Sequence, residues 1–285
     1  MLEIIIYYLS QIIYSDKLFD KIRYFLKFYK ILNLKDPITF NEKIIWKKHN
    51  EINPLSFEVS DKHLARNYVL SIDNSVLMPN IYAIVYSIDE IDFDILPEKF
   101  VVKATHGSGW NKIIIDKEKI NKYQILKLCK KWLSMNYYYK GREKVYKNLI
   151  PKIIFEELLL DEDGKIPNDL KCFCFNGKVK FIQVDLDRFS NHERIIFDEK
   201  WNKLPVQLQY PMSVKNIPKP DCFDSIIVIA EKLSKNFDFI RVDLYILNNK
   251  IYFGELTNYP GCGLEKFKPS SYDRIFGDML SVKYD

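Results

Sequence analysis

The order of secondary-structure patterns along the 285 residues predicts an α+β fold. Helical periodicity comes first, short strands around a glycine-rich loop follow, and antiparallel hairpins with one helix come last. Because runs of helices and runs of strands are segregated in this order, a doubly wound parallel sheet is not expected.

The composition is that of an ordinary globular protein. Apolar residues make up 47% and charged residues 28%, which excludes disordered and fibrous classes. The net charge is only +5 and no Lys/Arg block stands apart from acidic residues, so no nucleic-acid partner is expected. Five cysteines without disulfide or zinc spacing predict reduced thiols in a cytoplasmic protein.

Residues 1–35 are predicted to be helical, since apolar and aromatic residues recur at helical spacing through Ile22, Phe25 and Tyr29. Residues 1–15 are apolar but too short to span a bilayer, and they lack a signal-peptide pattern. A core helix is expected there. A helix on the inner face of the membrane is the alternative.

The central part of the chain changes from helical to strand periodicity. Thr39 and Glu42 have the spacing of a capping box, which predicts a helix from residue 39. The next predicted elements are a helix over 61–70, strands over 100–104 and 112–116, and a helix over about 119–139.

Hairpins dominate the second half of the chain. Asn176-Gly177 between two alternating runs is the clearest hairpin signal. The other predicted elements are a strand over 152–160, a turn at 163–164, a surface excursion over 189–220, a helix over 223–236 and a last hairpin formed by 241–247 and 251–257.

The glycine-rich loop after the strand at 100–104 has the composition of a phosphate-binding loop. Gly107 and Gly109 allow backbone N–H groups to approach phosphate oxygens, and Lys103 on the strand supplies a positive charge. The loop is neither a Walker A sequence nor a GxGxxG sequence. Taken alone, it is better explained by a tight turn beside a surface lysine.

Two carboxylates in the last hairpin predict a divalent-metal site. If residues 248–250 form a three-residue loop, Asp243 lies directly opposite Glu255, with their Cβ atoms roughly 5 Å apart. Such a pair needs a cation, and Mg²⁺ binds through one or two carboxylates plus phosphate oxygens. Neutralisation by Arg241 is the alternative, and a two-residue loop would place the two acids on opposite faces. Together, the glycine loop and these acids indicate an ATP site without a P-loop.

These residues resemble the TupA-like group of the ATP-grasp superfamily, which occurs in bacterial surface-polysaccharide gene sets. The matching segments are Thr39-Phe-Asn-Glu-Lys-Ile, Asp61-Lys62 with Ala65-Arg66, Phe100-Val-Val-Lys-Ala-Thr-His-Gly-Ser-Gly, Ile154-Phe-Glu-Glu-Leu-Leu, Asn168-Asp-Leu-Lys-Cys-Phe-Cys-Phe-Asn-Gly-Lys, Val184-Asp-Leu-Asp-Arg, Phe239-Ile-Arg-Val-Asp-Leu-Tyr, Gly254-Glu-Leu-Thr and Pro260-Gly-Cys-Gly. The resemblance implies an ATP-grasp fold with two subdomains that grip ATP, at 58–155 and 156–285, after a helical region at 1–57.

The resemblance also implies roles for single residues. ATP binding is implied for Lys62, Lys103, His106, Gly107, Ser108, Gly109, Glu156, Glu157, Leu158, Leu159, Asp169 and Lys171. Mg²⁺ binding is implied for Asp243, Glu255 and Thr257, and catalysis for Arg241 and Lys103. Thr257 stands where ligases of the broader superfamily usually carry Asn, which here follows at Asn258.

The implied activity is an ATP- and Mg²⁺-dependent ligase that activates a carboxylate as an acyl phosphate and joins it to an amine. The implied substrates are an amino acid or other small amine and a uronic-acid-type carboxylate of a surface glycan or its precursor. Asp187, Arg188, Gly261 and Gly263 are candidates for substrate contact, and His106 is a candidate base.

Three other functions are alternatives. An ATP-grasp sugar kinase would need the same lysines, loop and metal ligands. A glycosyltransferase is suggested by Asp185-Leu-Asp187, although the helical start of the chain does not fit its usual βαβ opening. A non-catalytic glycan-binding protein would not need Lys62, Lys103, Asp243 and Glu255.

Overall fold

The computed structural model of the chain describes residue 7, residues 10–187 and residues 191–282. The prediction of one helix over 1–35 is wrong, because residues 13–15 interrupt it and helix α1 (Asp16–Phe28) begins only after Ser15. The Ser15 side chain caps α1 by accepting the N–H of Leu18, and the left-handed conformation of Tyr29 ends it.

The following helices agree with their sequence signals. Helix α2 (Phe40–Asn50) has the predicted capping box between Thr39 and Glu42. After the short helix α3 (Pro54–Glu58), helix α4 (Lys62–Ile72) begins at Asp61, whose side chain accepts two backbone N–H groups of its first turn.

The first sheet has the strand order β1-β4-β2-β3, and all its pairs are antiparallel. Its strands are β1 (Ile81–Val85), β2 (Phe100–Ala104), β3 (Asn111–Ile114) and β4 (Ile153–Glu157). Helix α5 (Lys122–Ser134) packs on it and is shorter than predicted, with the separate turn α6 (Tyr138–Gly141) after it. The predicted subdomain boundary at 155/156 falls inside β4, and that division stays a prediction.

The second sheet has the order β10-β9-β5-β6-β7. Its strands are β5 (Asp169–Phe175), β6 (Lys178–Leu186), β7 (Glu193–Asp198), β9 (Phe239–Leu247) and β10 (Lys250–Thr257). The Asn176-Gly177 turn joins β5 and β6 as predicted, with φ of 50° and 73°. The prediction of 189–220 as a surface excursion is wrong in part, because β7 pairs with β6 at the edge of the sheet. The buried apolar side chains of β7 belong to the two hydrophobic cores that lie on opposite faces of this sheet.

Both faces of the second sheet are covered. Cys172 and Cys174 face the core under helix α7 (Phe223–Ser234), while Phe173 and Phe175 face Phe40 of α2 and helix α8 (Ser271–Asp278). Strands β8 (Gln207–Leu208) and β11 (Phe267–Lys268) form a small third sheet. Helices and antiparallel sheets packed in this way confirm the α+β class.

Two further properties bear on the protein's surroundings. The five cysteines are free thiols, as predicted. No helix within the described part of the chain has both the length and the hydropathy that crossing a bilayer requires.

Candidate active site

A cleft lies between the two sheets, with walls from β2 and β4 on one side and from β5, β9 and β10 on the other. Many of the residues predicted to bind ATP or Mg²⁺ line it: Lys62, Lys103, Ser108, Gly109, Glu156, Glu157, Leu158, Leu159, Asp169, Lys171, Asp243 and Glu255. Apolar side chains, among them Val101 and Ile113, complete the walls. The fold thus brings together segments far apart in sequence.

The start of α4 holds the glycine loop in place. Asp61 accepts the hydroxyl of Thr105 at 2.9 Å and pairs with Lys152 at 3.1 Å. The backbone N–H of Lys62 donates to the carbonyl of Thr105 at 3.1 Å, and its ammonium donates to the carbonyl of Gly107. These contacts place the Lys62 side chain beside the loop. Burial lowers the pKa of Lys62, and the nearby Glu255 carboxylate opposes that shift.

Lys103, near the end of β2 just before the glycine loop, forms an ion pair with Glu156 on the neighbouring strand β4. Arg66 of α4 approaches the other oxygen of Glu156 at 3.8 Å. Lys103 is about one-fifth exposed, so an anionic ligand in the cleft can reach it. A phosphate there would compete with Glu156 for the ammonium group.

The last hairpin places Asp243 opposite Glu255, but not by the predicted loop. The loop has two residues, Asn248 and Asn249, both at positive φ, so the three-residue prediction is wrong. A register shift at Gly254 inserts one unpaired residue and restores the pairing of Glu255 with Asp243 and of Thr257 with Arg241. The two acids therefore share a face because of a bulge.

Cations hold Asp243 tightly. Its two oxygens accept Nε and Nη2 of Arg241 at 2.6 and 2.7 Å, and Lys171 Nζ donates to Oδ2 at 2.9 Å. Lys171 also lies 3.5 Å from Asp169. Burial would lower the pKa of Arg241, but the Asp243 carboxylate outweighs burial and raises it. Arg241 therefore stays charged.

Glu255 is more open than Asp243, with one-third of its side chain exposed to the cleft. One of its oxygens lies 3.4 Å from Arg241 Nη2 and 3.3 Å from the Thr257 hydroxyl, and the other lies 4.0 Å from Lys62. Asn258 is directed elsewhere, since its amide donates to Ser56 and Ser60. Thr257 is thus the side chain that lies beside Glu255.

The donor set fits Mg²⁺ bound together with phosphates. A carboxylate offers about four lone-pair positions, and Asp243 uses three of them, while Glu255 and the Thr257 hydroxyl add exposed oxygens. Among the described residues no cluster of three or more His, Cys, Asp or Glu could hold a metal by itself. Phosphate oxygens would have to complete the coordination, which is how Mg²⁺ is usually bound.

Several predicted residues lie outside the cleft. Gly107 does not line the cleft and packs against Tyr137 and Trp110. His106 is buried, with Nε2 3.0 Å from the Trp132 carbonyl and Nδ1 accepting the N–H of Lys152 at 3.3 Å. Burial lowers the pKa of His106. Asp187 pairs with Lys215 at 2.5 Å on the surface. Arg188 falls outside the described residues.

A second cavity adjoins the cleft and contains residues that the sequence reasoning missed. Arg241, Thr257 and Gly261 line it, whereas Gly263 does not. Gly263 packs against α2, where an added Cβ would lie 2.7 Å from the carbonyl oxygen of Asn41. Lining residues that were not predicted as site residues include Tyr137, Glu143, Tyr146, Tyr259 and Cys262. Cys262 lies in the family-like segment Pro260-Gly-Cys-Gly, whereas no sequence motif includes Glu143.

Comparisons with known proteins identify the family of the chain. A family model described as TupA-like ATPgrasp matches residues 42–281. A search of curated proteins finds no match to the chain.

Solved structures similar to the chain include a D-alanine–D-alanine ligase from Bacillus anthracis complexed with ATP, at a TM-score of 0.44 and 14% identity over 78% of this chain and 63% of that one. The ATP-grasp ligase PsnB complexed with minimal precursor is similar at a TM-score of 0.43 and 11% identity, over 86% and 65% of the two chains. The chain thus spans slightly less than two-thirds of the length of these proteins.

Proposed function

Because the chain belongs to the TupA-like ATP-grasp family, we propose that it is an ATP-dependent carboxylate–amine ligase that releases ADP and phosphate. The observation that carries the proposal is the convergence of Lys62 and Lys103 with the cross-strand pair Asp243 and Glu255 in one cleft. Lysines beside a glycine loop and paired acids are the groups that nucleotide phosphates and Mg²⁺ require.

The charge and position of each residue in the cleft suggest which part of Mg²⁺-ATP it would bind. Lys62 and Lys103 would bind phosphate oxygens, and Asp243, Glu255 and Thr257 would hold Mg²⁺, which neutralises phosphate charge when bound. The Glu156–Leu159 segment would line the adenine site, and Asp169 would lie near the ribose. Such a site acts by positioning and charge stabilisation, so it needs no nucleophilic side chain.

We assign Arg241 to the phosphoryl-transfer and acyl-transfer steps. Its guanidinium lies between Asp243 and Glu255 and also lines the second cavity. It would stabilise negative charge on the transferring phosphoryl group or on the tetrahedral acyl intermediate.

The proposed substrates are a uronic-acid-type carboxylate and an amino acid or other small amine, joined in the cytoplasm during synthesis of capsular or other surface polysaccharide. Support for this choice comes from the family resemblance. The test is an assay of ADP, phosphate and amide product with pairs of uronic acids and amino acids. Amide formation with one phosphate released per ADP supports the ligase.

Two other results would replace the ligase. ADP formed together with a phosphorylated sugar, without free phosphate, would show a kinase. Binding of a UDP-sugar in place of an ATP analogue would favour a glycosyltransferase.

We further infer that the N-terminal region contacts an anionic membrane surface, which is the alternative to a core helix for residues 1–15, and that α1 extends this contact. Leu18, Ile22, Phe25 and Tyr29 recur at helical spacing and are between 41% and 79% exposed. Exposed lysines, Lys17 and Lys21 among them, flank this stripe. Apolar stripes beside lysines are typical of helices that lie on anionic lipid surfaces.

The membrane contact is tested by co-sedimentation with vesicles of phosphatidylglycerol and of phosphatidylcholine. Wild type should bind the anionic vesicles, and the double variant Phe25→Ser, Leu26→Ser should lose most of that binding. Ile150→Ser, at an exposed apolar position elsewhere, is the matched control. Equal sedimentation of wild type and the double variant would contradict the inference.

A further inference from the structure

The second cavity lies directly beside the proposed nucleotide site. It has a volume of about 130 Å³ and shares Lys62, Ser108, Gly254 and Glu255 with the wall of the cleft. A cavity of about 150 Å³ can hold a molecule of the size of benzene. The cavity therefore suits a small compound or the end of a larger one, placed next to the groups that would hold the phosphates.

Glu143 gives the cavity a buried carboxylate that has no ion-pair partner in the part of the chain that the structure describes. Glu143 is 6% exposed, and its side-chain hydrogen bond comes from the Cys262 thiol, with Sγ 2.6 Å from Oε1. Burial raises the pKa of this thiol to about 12, so it donates a hydrogen bond but brings no charge. Within residues 10–187 and 191–282, no Lys, Arg or His forms an ion pair with Glu143.

Two basic side chains, Lys48 and Arg23, lower the pKa of Glu143 without forming an ion pair with it. The Lys48 ammonium donates instead to Asp20 at 2.7 Å and to the carbonyl of Gly141 at 2.9 Å. Burial is the largest effect on Glu143 and raises its pKa. An uncompensated buried carboxylate is costly, and a cationic ligand would remove that cost.

Aromatic side chains line the same cavity. Tyr137 and Tyr146 are in edge-to-face contact, with ring centroids 4.8 Å apart. Burial raises the pKa of both hydroxyls, and the Glu143 carboxylate adds to the shift, so both stay neutral. The Tyr259 hydroxyl is buried and has no hydrogen-bond partner among the described residues. Ring faces and hydroxyl oxygens are groups that stabilise an ammonium ion.

We propose that this cavity binds a small primary amine as its ammonium ion, with Glu143 as the counter-charge and Tyr137 and Tyr146 as the aromatic wall. The proposal rests on the proposed function, in which the ammonium ion gives a proton to the Glu143 carboxylate and the free amine then attacks the acyl carbon and displaces phosphate. Arg241 and Lys62 also line the cavity, where they lie 3.4 and 4.0 Å from Glu255, and they repel a cation and favour the carboxylate substrate. The charges thus assign the amine to the Glu143 carboxylate.

The experiment measures binding of n-butylammonium by ligand-observed NMR, with n-butanol as the neutral probe of equal length. Wild type should bind n-butylammonium, and n-butanol should bind at least tenfold more weakly. Glu143→Gln should weaken n-butylammonium binding at least tenfold. Glu199→Gln, at an exposed acid outside both cavities, should leave it unchanged.

Titration of each variant with a non-hydrolysable ATP analogue separates the possible failures. Analogue binding by Glu143→Gln shows that this variant is folded. If wild type binds the analogue but does not prefer n-butylammonium to n-butanol, or if Glu143→Gln binds the amine like wild type, the amine site is overturned and the ligase proposal stands. If wild type does not bind the analogue, the proposed function is overturned.

Discussion

In the nucleotide cleft, the buried Asp243 lies against Arg241 and Lys171, whereas in the adjoining cavity Glu143 has no cationic partner among the described residues. Both carboxylates are almost fully buried, so the difference lies in their surroundings. A paired carboxylate stabilises the fold and holds its neighbours in place. An unpaired one is stabilised by what binds to it. The comparison teaches that one wall of this site is preassembled and that the other is completed by its ligand.

The largest expected effect comes from neutralising the two acids of the hairpin. Asp243→Asn and Glu255→Gln should each reduce turnover at least 100-fold, because both would hold Mg²⁺. Asp243→Asn should also lower the free energy of unfolding by about 3 kcal/mol, since it leaves Arg241 and Lys171 buried without their main partner. Glu255→Gln should change that free energy by less than about 1 kcal/mol, because Glu255 is partly exposed.

Turnover assays and urea unfolding on both variants check these expectations. Near-normal turnover in both variants would remove the metal assignment. Equal loss of stability in both would break the contrast between a tightly paired carboxylate and a more open one.

Gly254 tests whether the bulge positions the metal ligands. A Cβ at this residue would lie 3.0 Å from the Asp243 carbonyl oxygen and 3.0 Å from the Tyr245 ring. We expect Gly254→Ala to lower the free energy of unfolding by about 1–3 kcal/mol and to weaken Mg²⁺-dependent binding of an ATP analogue. Gly164→Ala, at a left-handed turn with open space around the added Cβ, should cost stability but leave the Mg²⁺ dependence unchanged. The opposite pattern would contradict the role of the bulge.

A smaller effect should appear in the pH dependence of stability. Because burial raises the pKa of Glu143 in the folded protein, its contribution favours folding below the unfolded pKa of about 4.3 and is lost as pH rises through the folded value. Glu143→Gln should therefore resist urea better than wild type at pH 8, and this advantage should vanish near pH 4. The groups that act on Glu143 are Cys262, Lys48, Arg23, Asp20, Tyr137 and Tyr146.

Urea unfolding at the two pH values, with Glu199→Gln as the control, measures this effect. A Glu143→Gln variant less stable than wild type at pH 8 would mean that the Glu143 carboxylate is already compensated in the folded chain. The two regions would then not differ in the way described.

The cleft was predictable where its chemistry lies in contiguous segments. The capping box of α2, the start of α4, the Lys103 strand and the Asn176-Gly177 turn all carry local signals, and the structure confirms them. The register of the last hairpin was not predictable, because a glycine inside a strand is compatible with either a bulge or a close approach of another backbone. The predicted pairing of Asp243 with Glu255 was correct although its predicted loop was wrong.

The second cavity could not be predicted, for a different reason. Glu143, Tyr146 and Cys262 come from segments that meet only in the folded chain, and Glu143 stands in no periodic pattern. His106 illustrates the converse, since its place in the glycine loop suggested a polar contact with the ligand. Its two ring nitrogens are instead directed to the backbone at Trp132 and Lys152. Whether such a side chain reaches the ligand depends on tertiary packing, and a local sequence pattern holds no information about that packing.

The most direct measurement is calorimetric titration of the protein with a non-hydrolysable ATP analogue, with and without Mg²⁺, on wild type, Lys103→Ala and Lys112→Ala. Lys112 lies on the neighbouring strand β3 and is exposed, so it is the matched control. We predict Mg²⁺-dependent binding to wild type and to Lys112→Ala, and at least tenfold weaker binding to Lys103→Ala. Absence of binding to wild type, or equal binding to all three proteins, would contradict the assignment of this cleft as the nucleotide site.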